Sequence, residues 1–148
     1  MVRIKNRYFV VQVEPHAFTF DTTSRILYQA ILGRVESLHG DYGLASIKDG
    51  FEVSYCNDKT GIALVRARHG PHKIVMSTVP LVTKVGDKKA SLRTLYTGAT
   101  LLKCKQFIMK YQKQQLVNAL KDARNQQQRQ CLEETYLKIS FVEKKDFA

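Results

Sequence analysis

Acidic groups, cysteines and long apolar stretches are all scarce in this 148-residue sequence, and each shortage narrows what the chain can be. Only 13 Asp plus Glu stand against 24 Lys plus Arg, leaving a net charge of +11. In so small a protein that charge means strong self-repulsion unless a polyanion is normally present, and nucleic acid is the leading partner. An anionic membrane surface is the weaker alternative, because no stretch is apolar over the length of a spanning helix and the basic residues are spread along the chain. Cys56, Cys104 and Cys131 are odd in number and widely spaced, which argues against a disulfide framework and for reduced residues in an intracellular protein. The apolar run inside MVRIKNRYFVVQV is too short for a signal-peptide core, so neither secretion nor insertion is expected. There is no glycine-rich phosphate loop and no pair of Cys-x-x-Cys motifs. His69-x-x-His72 is the one close pair of possible metal ligands; with no third ligand near it in sequence, it reads as a polar turn. No Ser, Cys or His spacing argues for a nucleophile and its base.

What remains is a chain that is 44% hydrophobic, enough for one domain with a proper core. Tyr8 to Glu14 alternates, with Phe9, Val11 and Val13 on one face and Tyr8, Val10 and Gln12 on the other, and predicts a strand ended by Pro15. Asp21 to Ser24 are all able to cap a helix, and Ile26, Leu27, Ala30, Ile31, Val35 and Leu38 follow at helical spacing up to Gly40. Leu44 to Cys56 reads as an extended strand bulged at Asp49-Gly50. A loop from Asn57 to Thr60 leads to a partner strand, Gly61 to Arg68, which sorts Ala63, Val65 and Ala67 onto one face and Ile62, Leu64, Arg66 and Arg68 onto the other. Gly70-Pro71 starts a second helix with a stripe of Ile74, Val75, Thr78, Val79 and Val82. Thr83 to Ser91 carries Lys84, Lys88 and Lys89 around Gly86-Asp87 and reads as a basic loop.

The next strand places Leu92, Thr94 and Tyr96 opposite Arg93, Leu95 and Thr97, then passes through Gly98 into a long amphipathic helix. One side of that helix carries Leu101, Cys104, Phe107, Ile108, Tyr111 and Leu116; the other carries Lys103, Lys105, Lys110 and Lys113. Asn125 to Gln130 is polar and open to reading as helix or loop, and Leu132, Tyr136 and Ile139 suggest a last short helix. The order predicts an α+β fold of the split βαβ kind (ferredoxin-like, RRM-like): an antiparallel sheet with two helices on one face and an added C-terminal helix on the other. Residues 1–124 form the expected domain and 125–148 a polar extension.

Basic residues recur beside aromatics: Arg3, Lys5 and Arg7 precede Tyr8, and Arg66 and Arg68 close a strand. In a split βαβ sheet the first and third strands are antiparallel neighbours, so Arg7 and Tyr8 are expected near Arg66 and Arg68. Such a cluster suits RNA, since cations neutralise phosphates and an aromatic face stacks on an unpaired base. Lys88, Lys89, Lys103, Lys110 and Lys113 are further cationic candidates. The plainer alternatives are core packing for Tyr8, pairing of Arg66 and Arg68 with carboxylates of a protein partner, and a solvated ridge for the helix lysines. The aromatic RNP motifs of RNA-recognition sheets are absent, which speaks against binding through an open sheet face.

Three groups of residues resemble a known family. They are Met1-Val2-Arg3, Lys5 and Arg7-Tyr8; then Phe51, Val53, Tyr55, Asn57, Thr60-Gly61-Ile62, Leu64, Arg66 and Arg68; then Thr94-Leu95, Gly98, Thr100, Cys104, Phe107, Tyr111 and Gln115-Leu116. With Gly40, Gly43 and Gly50 they cover most of residues 1–122 and resemble the small protein subunits of ribonuclease P and ribonuclease MRP, the Pop-five/Rpp-fourteen family. Ala99 and Leu102 depart from it, standing where members often have glycine and a basic residue. The resemblance implies a non-catalytic subunit of a ribonucleoprotein whose RNA matures precursor tRNA at its 5′ end, with rRNA processing in the MRP particle. It also implies pairing with the TIM-barrel protein subunit, company of the other particle proteins, and a nuclear, often nucleolar, location. Magnesium would sit on the partner RNA, with no cofactor on the protein. A basic ribosomal or architectural RNA-binding protein, or a small hydrolase on the same fold, are the other classes in view.

Overall fold

The computed structural model describes residues 3–16 and 22–146, with side chains described as far as 138. Met1 and Val2 of the resemblance, Asp21 of the expected cap and the side chain of Ile139 lie outside the described residues. Strand β1 (Asn6–Pro15) leads to helix α1 (Ser24–Lys48), the hairpin β2 (Glu52–Asn57) and β3 (Ile62–Arg68), and helix α2 (His72–Thr78) with a 3-10 turn at Val79–Leu81. A second hairpin follows, β4 (Lys84–Val85) and β5 (Lys88–Gly98), then helices α3 (Leu101–Asp122) and α4 (Gln126–Asp146). The strands lie in the order β2-β3-β1-β5-β4 and every pairing is antiparallel. This is the split βαβ arrangement, with β4 added as a short edge.

Thr23 caps α1, its hydroxyl accepting the Ile26 N–H at 3.4 Å. Contrary to the sequence reading, α1 does not end at Gly40. The backbone kinks there, at φ 66° and ψ −159°, and a further helical segment runs to Lys48 where a strand was expected. Gly43 and Ile47 explain it: they are buried four residues apart, so the segment 44–48 follows a helical period and strand β2 starts only at Glu52. Leu38, expected in the stripe, is exposed.

The expected basic loop is a hairpin. Gly86, at φ 62°, makes the turn, and Ala90 and Leu92 are buried on alternate positions that the flanking lysines obscure. Strand β5 also carries a bulge: Val10 pairs with Tyr96 and Val11 with Thr94, skipping Leu95. The extra residue breaks the expected alternation, so Leu92, Thr94 and Thr97 share one face and Arg93 and Tyr96 the other. A second bulge falls at Ser54 in β2. The polar run after Asn125 is helical, and α4 is far longer than the short helix expected.

Phe9, Val11, Val13, Ala63, Val65 and Ala67 form the sheet's side of the main core, against Leu27, Ile31, Val35 and Ile47 of α1, Val75 of α2 and Val79 of the 3-10 turn. Val10, Ile62 and Leu64 point from the opposite face and are buried as well. The first turn of α3 meets that face, where the Cys104 thiol lies 3.8 Å from the Tyr8 carbonyl. Along α3, Cys104, Ile108 and Gln112 are buried and Leu101 is exposed, so the buried line follows i, i+4 spacing and takes in a polar residue the apolar pattern omits. The chain divides into two compact units, Met1–Cys104 and Lys105–Ala148.

Candidate nucleic-acid interface

The register places Asn6 opposite Arg68, Arg7 opposite Ala67 and Tyr8 opposite Arg66. The start of β1 therefore lies beside the end of β3, as the topology predicts. The pleat then separates what the sequence reading grouped. Tyr8, Arg66 and Arg68 share one face, whereas Arg7 shares the face of Phe9 and Ala67 with the helices. On the Tyr8 face both arginines have carboxylate partners in this chain: Arg66 Nη2 lies 2.8 Å from Glu52 Oε2, and Arg68 Nη1 lies 3.9 Å from Asp49 Oδ2. Arg66 Nε is buried with no hydrogen-bond partner.

Other basic residues near this end of β1 are differently placed. Among the described residues, no carboxylate pairs with Arg3, Lys5, Arg7, His69 or Lys73. Arg7 donates to the Asn6 carbonyl at 3.1 Å, and the His69 N–H donates to the Lys5 carbonyl at 2.8 Å, extending the β1–β3 ladder by one bond. At the start of α2, the His72 ring lies buried against Phe9 (centroids 6.4 Å apart) and against the ring of His69 (5.0 Å). The Gly70 N–H donates to His72 Nδ1 at 2.9 Å, so the neutral ring carries its proton on Nε2. Burial holds the His72 pKa below its ordinary value, and the positive charges of His69, Arg7 and Lys73 push the same way. The spacing of His69-x-x-His72 predicts only a polar turn. The β1–β3 register, ending at Arg68, carries His69 and His72 next to Phe9 and Arg7, and that register is the signal for the site in the residue order.

The two lysines that open β5 do not join this corner. Lys88 and Lys89 open β5, whose Ala90 pairs with Pro15 at the far end of the ten-residue β1. That is about 30 Å from Asn6 at ~3.3 Å per residue. There Lys84 and Lys89 stand directly opposite each other. Lys103, Lys110 and Lys113 are exposed on α3, and the last two belong to the second compact unit. A surface pocket of about 380 Å³ near the β2–β3 turn is lined by Gln12, Glu14, Thr22, Cys56, Asn57 and Lys59 among others. Burial, with the nearby Asp58 charge, pushes the Cys56 thiol up to about 11, so it stays protonated at neutral pH.

A small, strongly basic split βαβ protein with unpaired cations gathered at one end of its central strand is the class defined by fold and site. Comparison with known proteins supplies the family. Residues 7–109 match the Rpp14/Pop5 family. A protein of Danio rerio named "Ribonuclease P/MRP protein subunit POP5" is 32% identical over 152 residues, covering 95% of this chain and 88% of its own. The Homo sapiens protein of that name is 27% identical over 153 residues, covering 99% and 93%. "Ribonuclease P protein component 2" of Methanoculleus marisnigri is 30% identical over 100 residues, covering 68% and 59%. Among solved structures, a chain in the cryo-EM structure of yeast ribonuclease MRP aligns with a TM-score of 0.48 at 13% identity, over 77% of this chain and 96% of that one. The chain belongs to the Rpp14/Pop5 family.

Proposed function

We propose that this chain is a non-catalytic protein subunit of ribonuclease P/MRP that holds RNA at the β1–β3 corner. Family membership and the names borne by relatives along nearly the whole chain support the particle. The observation that carries the RNA-holding role is that Lys5 and Arg7, beside His69 and Lys73, and Arg3, three residues before β1, have no carboxylate partners among the described residues. Each such cation that meets a phosphate releases a counterion, so the protein lets crowded RNA strands approach while the RNA, with its own magnesium ions, performs the cleavage. In this reading the substrate is precursor tRNA cut at its 5′ end, with rRNA precursors for the MRP particle. The partners are the catalytic RNA, the TIM-barrel subunit and the other particle proteins, and the place is the nucleus and nucleolus. Arg66 and Arg68 take part by exchanging Glu52 and Asp49 for phosphates.

Affinity capture of the tagged chain from its own cells tests this. Recovery of a ribonuclease P or MRP RNA together with a barrel-fold protein is expected. Recovery of ribosomal subunits in their place, or cleavage of precursor tRNA by the purified chain free of RNA, would contradict it.

A further inference from the structure

We propose that the three rings Phe9, His72 and His69 form a stacking site for one unpaired RNA base, with Arg7 and Lys73 placed for the phosphates beside it. The inference deepens the RNA-holding reading and rests on it. The rings run from the core outward: Phe9 is 1% exposed, His72 is 8% exposed, and His69 lies on the surface. Phe9 and His72 are inclined by 24° and His72 and His69 by 17°, so the three are close to parallel. A flat group laid on the exposed His69 ring would continue the row.

The site is preformed. The Gly70 N–H fixes the tilt of His72 through Nδ1, Phe9 backs the ring from the core, and the His69 backbone is tied to Lys5 of the incoming strand. Gly70, at φ 107°, makes the turn that brings residue 69 back over residue 72. Little conformational freedom is then left to lose on binding, which is what favours a ring platform over a flexible side chain.

Charge selects the ligand. Arg7, Lys73 and His69 all act on His72, and no carboxylate among the described residues answers them. Cations clustered around a ring row repel one another until an anion enters. A nucleotide joins a π-face to a phosphate, which is the pairing these residues offer; an acidic peptide supplies the charge without the flat ring. Bases inside a duplex are already stacked on their neighbours, so the site takes a single strand, bulge or loop. It also lies on the helix side of the sheet, apart from the face that RNA-recognition domains use.

The test is equilibrium binding of the full chain, at one salt concentration, to an oligouridylate, to the same oligomer lacking its bases, and to a duplex with the same number of phosphates. His69→Ala is expected to weaken oligouridylate binding about tenfold and to leave the abasic oligomer and the duplex within about twofold. His69→Phe, which keeps an aromatic ring at this position, is expected to restore most of the loss. Equal weakening for all three ligands, or an unchanged oligouridylate affinity in a chain that still binds RNA in a salt-dependent way, would overturn the stacking site and leave the RNA-holding reading standing. Failure of the unmodified chain to bind any of the three would overturn both.

Discussion

Arg66 faces Glu52 across the β2–β3 ladder, Nη2 to Oε2 at 2.8 Å, on the same face as Tyr8. The guanidinium is thus occupied by a carboxylate of its own chain when RNA is absent. Both side chains are substantially exposed, 37% and 54%, so the pair contributes less than about 1 kcal/mol to folding. Removing the carboxylate should therefore free the cation without unfolding the protein. For Glu52→Gln we expect near-normal stability and tighter RNA binding, because Arg66 no longer has to leave a carboxylate to reach phosphate, with a salt slope close to that of the unmodified chain. RNA titration of both chains at one salt concentration checks this, and an unchanged affinity would mean that Arg66 does not reach phosphate.

Two glycines should respond to alanine in opposite directions. A Cβ on Gly61, where φ is +68°, would come within 2.6 Å of the Val13 carbonyl oxygen, and that carbonyl belongs to backbone which cannot swing aside. Gly61→Ala should destabilise by more than ~2 kcal/mol. Gly33 sits in α1 with nothing within 4 Å of its notional Cβ, and Gly33→Ala should stabilise by about 0.5–1 kcal/mol. Urea midpoints of the two variants decide both.

His72 gives the fold a dependence on mild acid. Burial, and then the charges of His69, Arg7 and Lys73, lower its pKa in the folded chain, so below the unfolded histidine value of about 6.5 the unfolded state binds the extra proton first. Stability attributable to this residue is complete above that value and declines as the pH falls through it. His72→Asn keeps an acceptor for the Gly70 N–H and removes the titration. The variant should lose less stability than the unmodified chain between about pH 7 and pH 5, and equal losses would contradict the assignment.

Much of the frame was legible in residue order. Alternation at Phe9, Val11 and Val13 and at Ala63, Val65 and Ala67 marked both central strands, and the antiparallel pairing of β1 with β3 followed from the topology. Two features were hidden by chemistry that imitates something else. Glycines at 40 and 43 look like punctuation, yet one kinks a helix and the other is buried inside it. Lysines at 84, 88 and 89 look like a solvated loop, yet they flank Val85 and Ala90, buried residues of a hairpin. The site was legible in composition and less so in direction. Bulges such as that at Leu95, and the pleat that parts Arg7 from Arg66, depend on strand register, which residue order constrains only through partners distant in sequence.

The most direct test of RNA holding at the β1–β3 corner is the salt dependence of binding to ribonuclease P RNA, measured for the unmodified chain and for Arg3→Ala, Lys5→Ala and Arg7→Ala combined. If these three cations each neutralise a phosphate, the slope of log affinity against log salt should flatten by about 2 to 2.7 in the triple variant, at ~0.7–0.9 per lost contact. An unchanged slope in a variant that folds normally would show that RNA is not held at this end of the sheet.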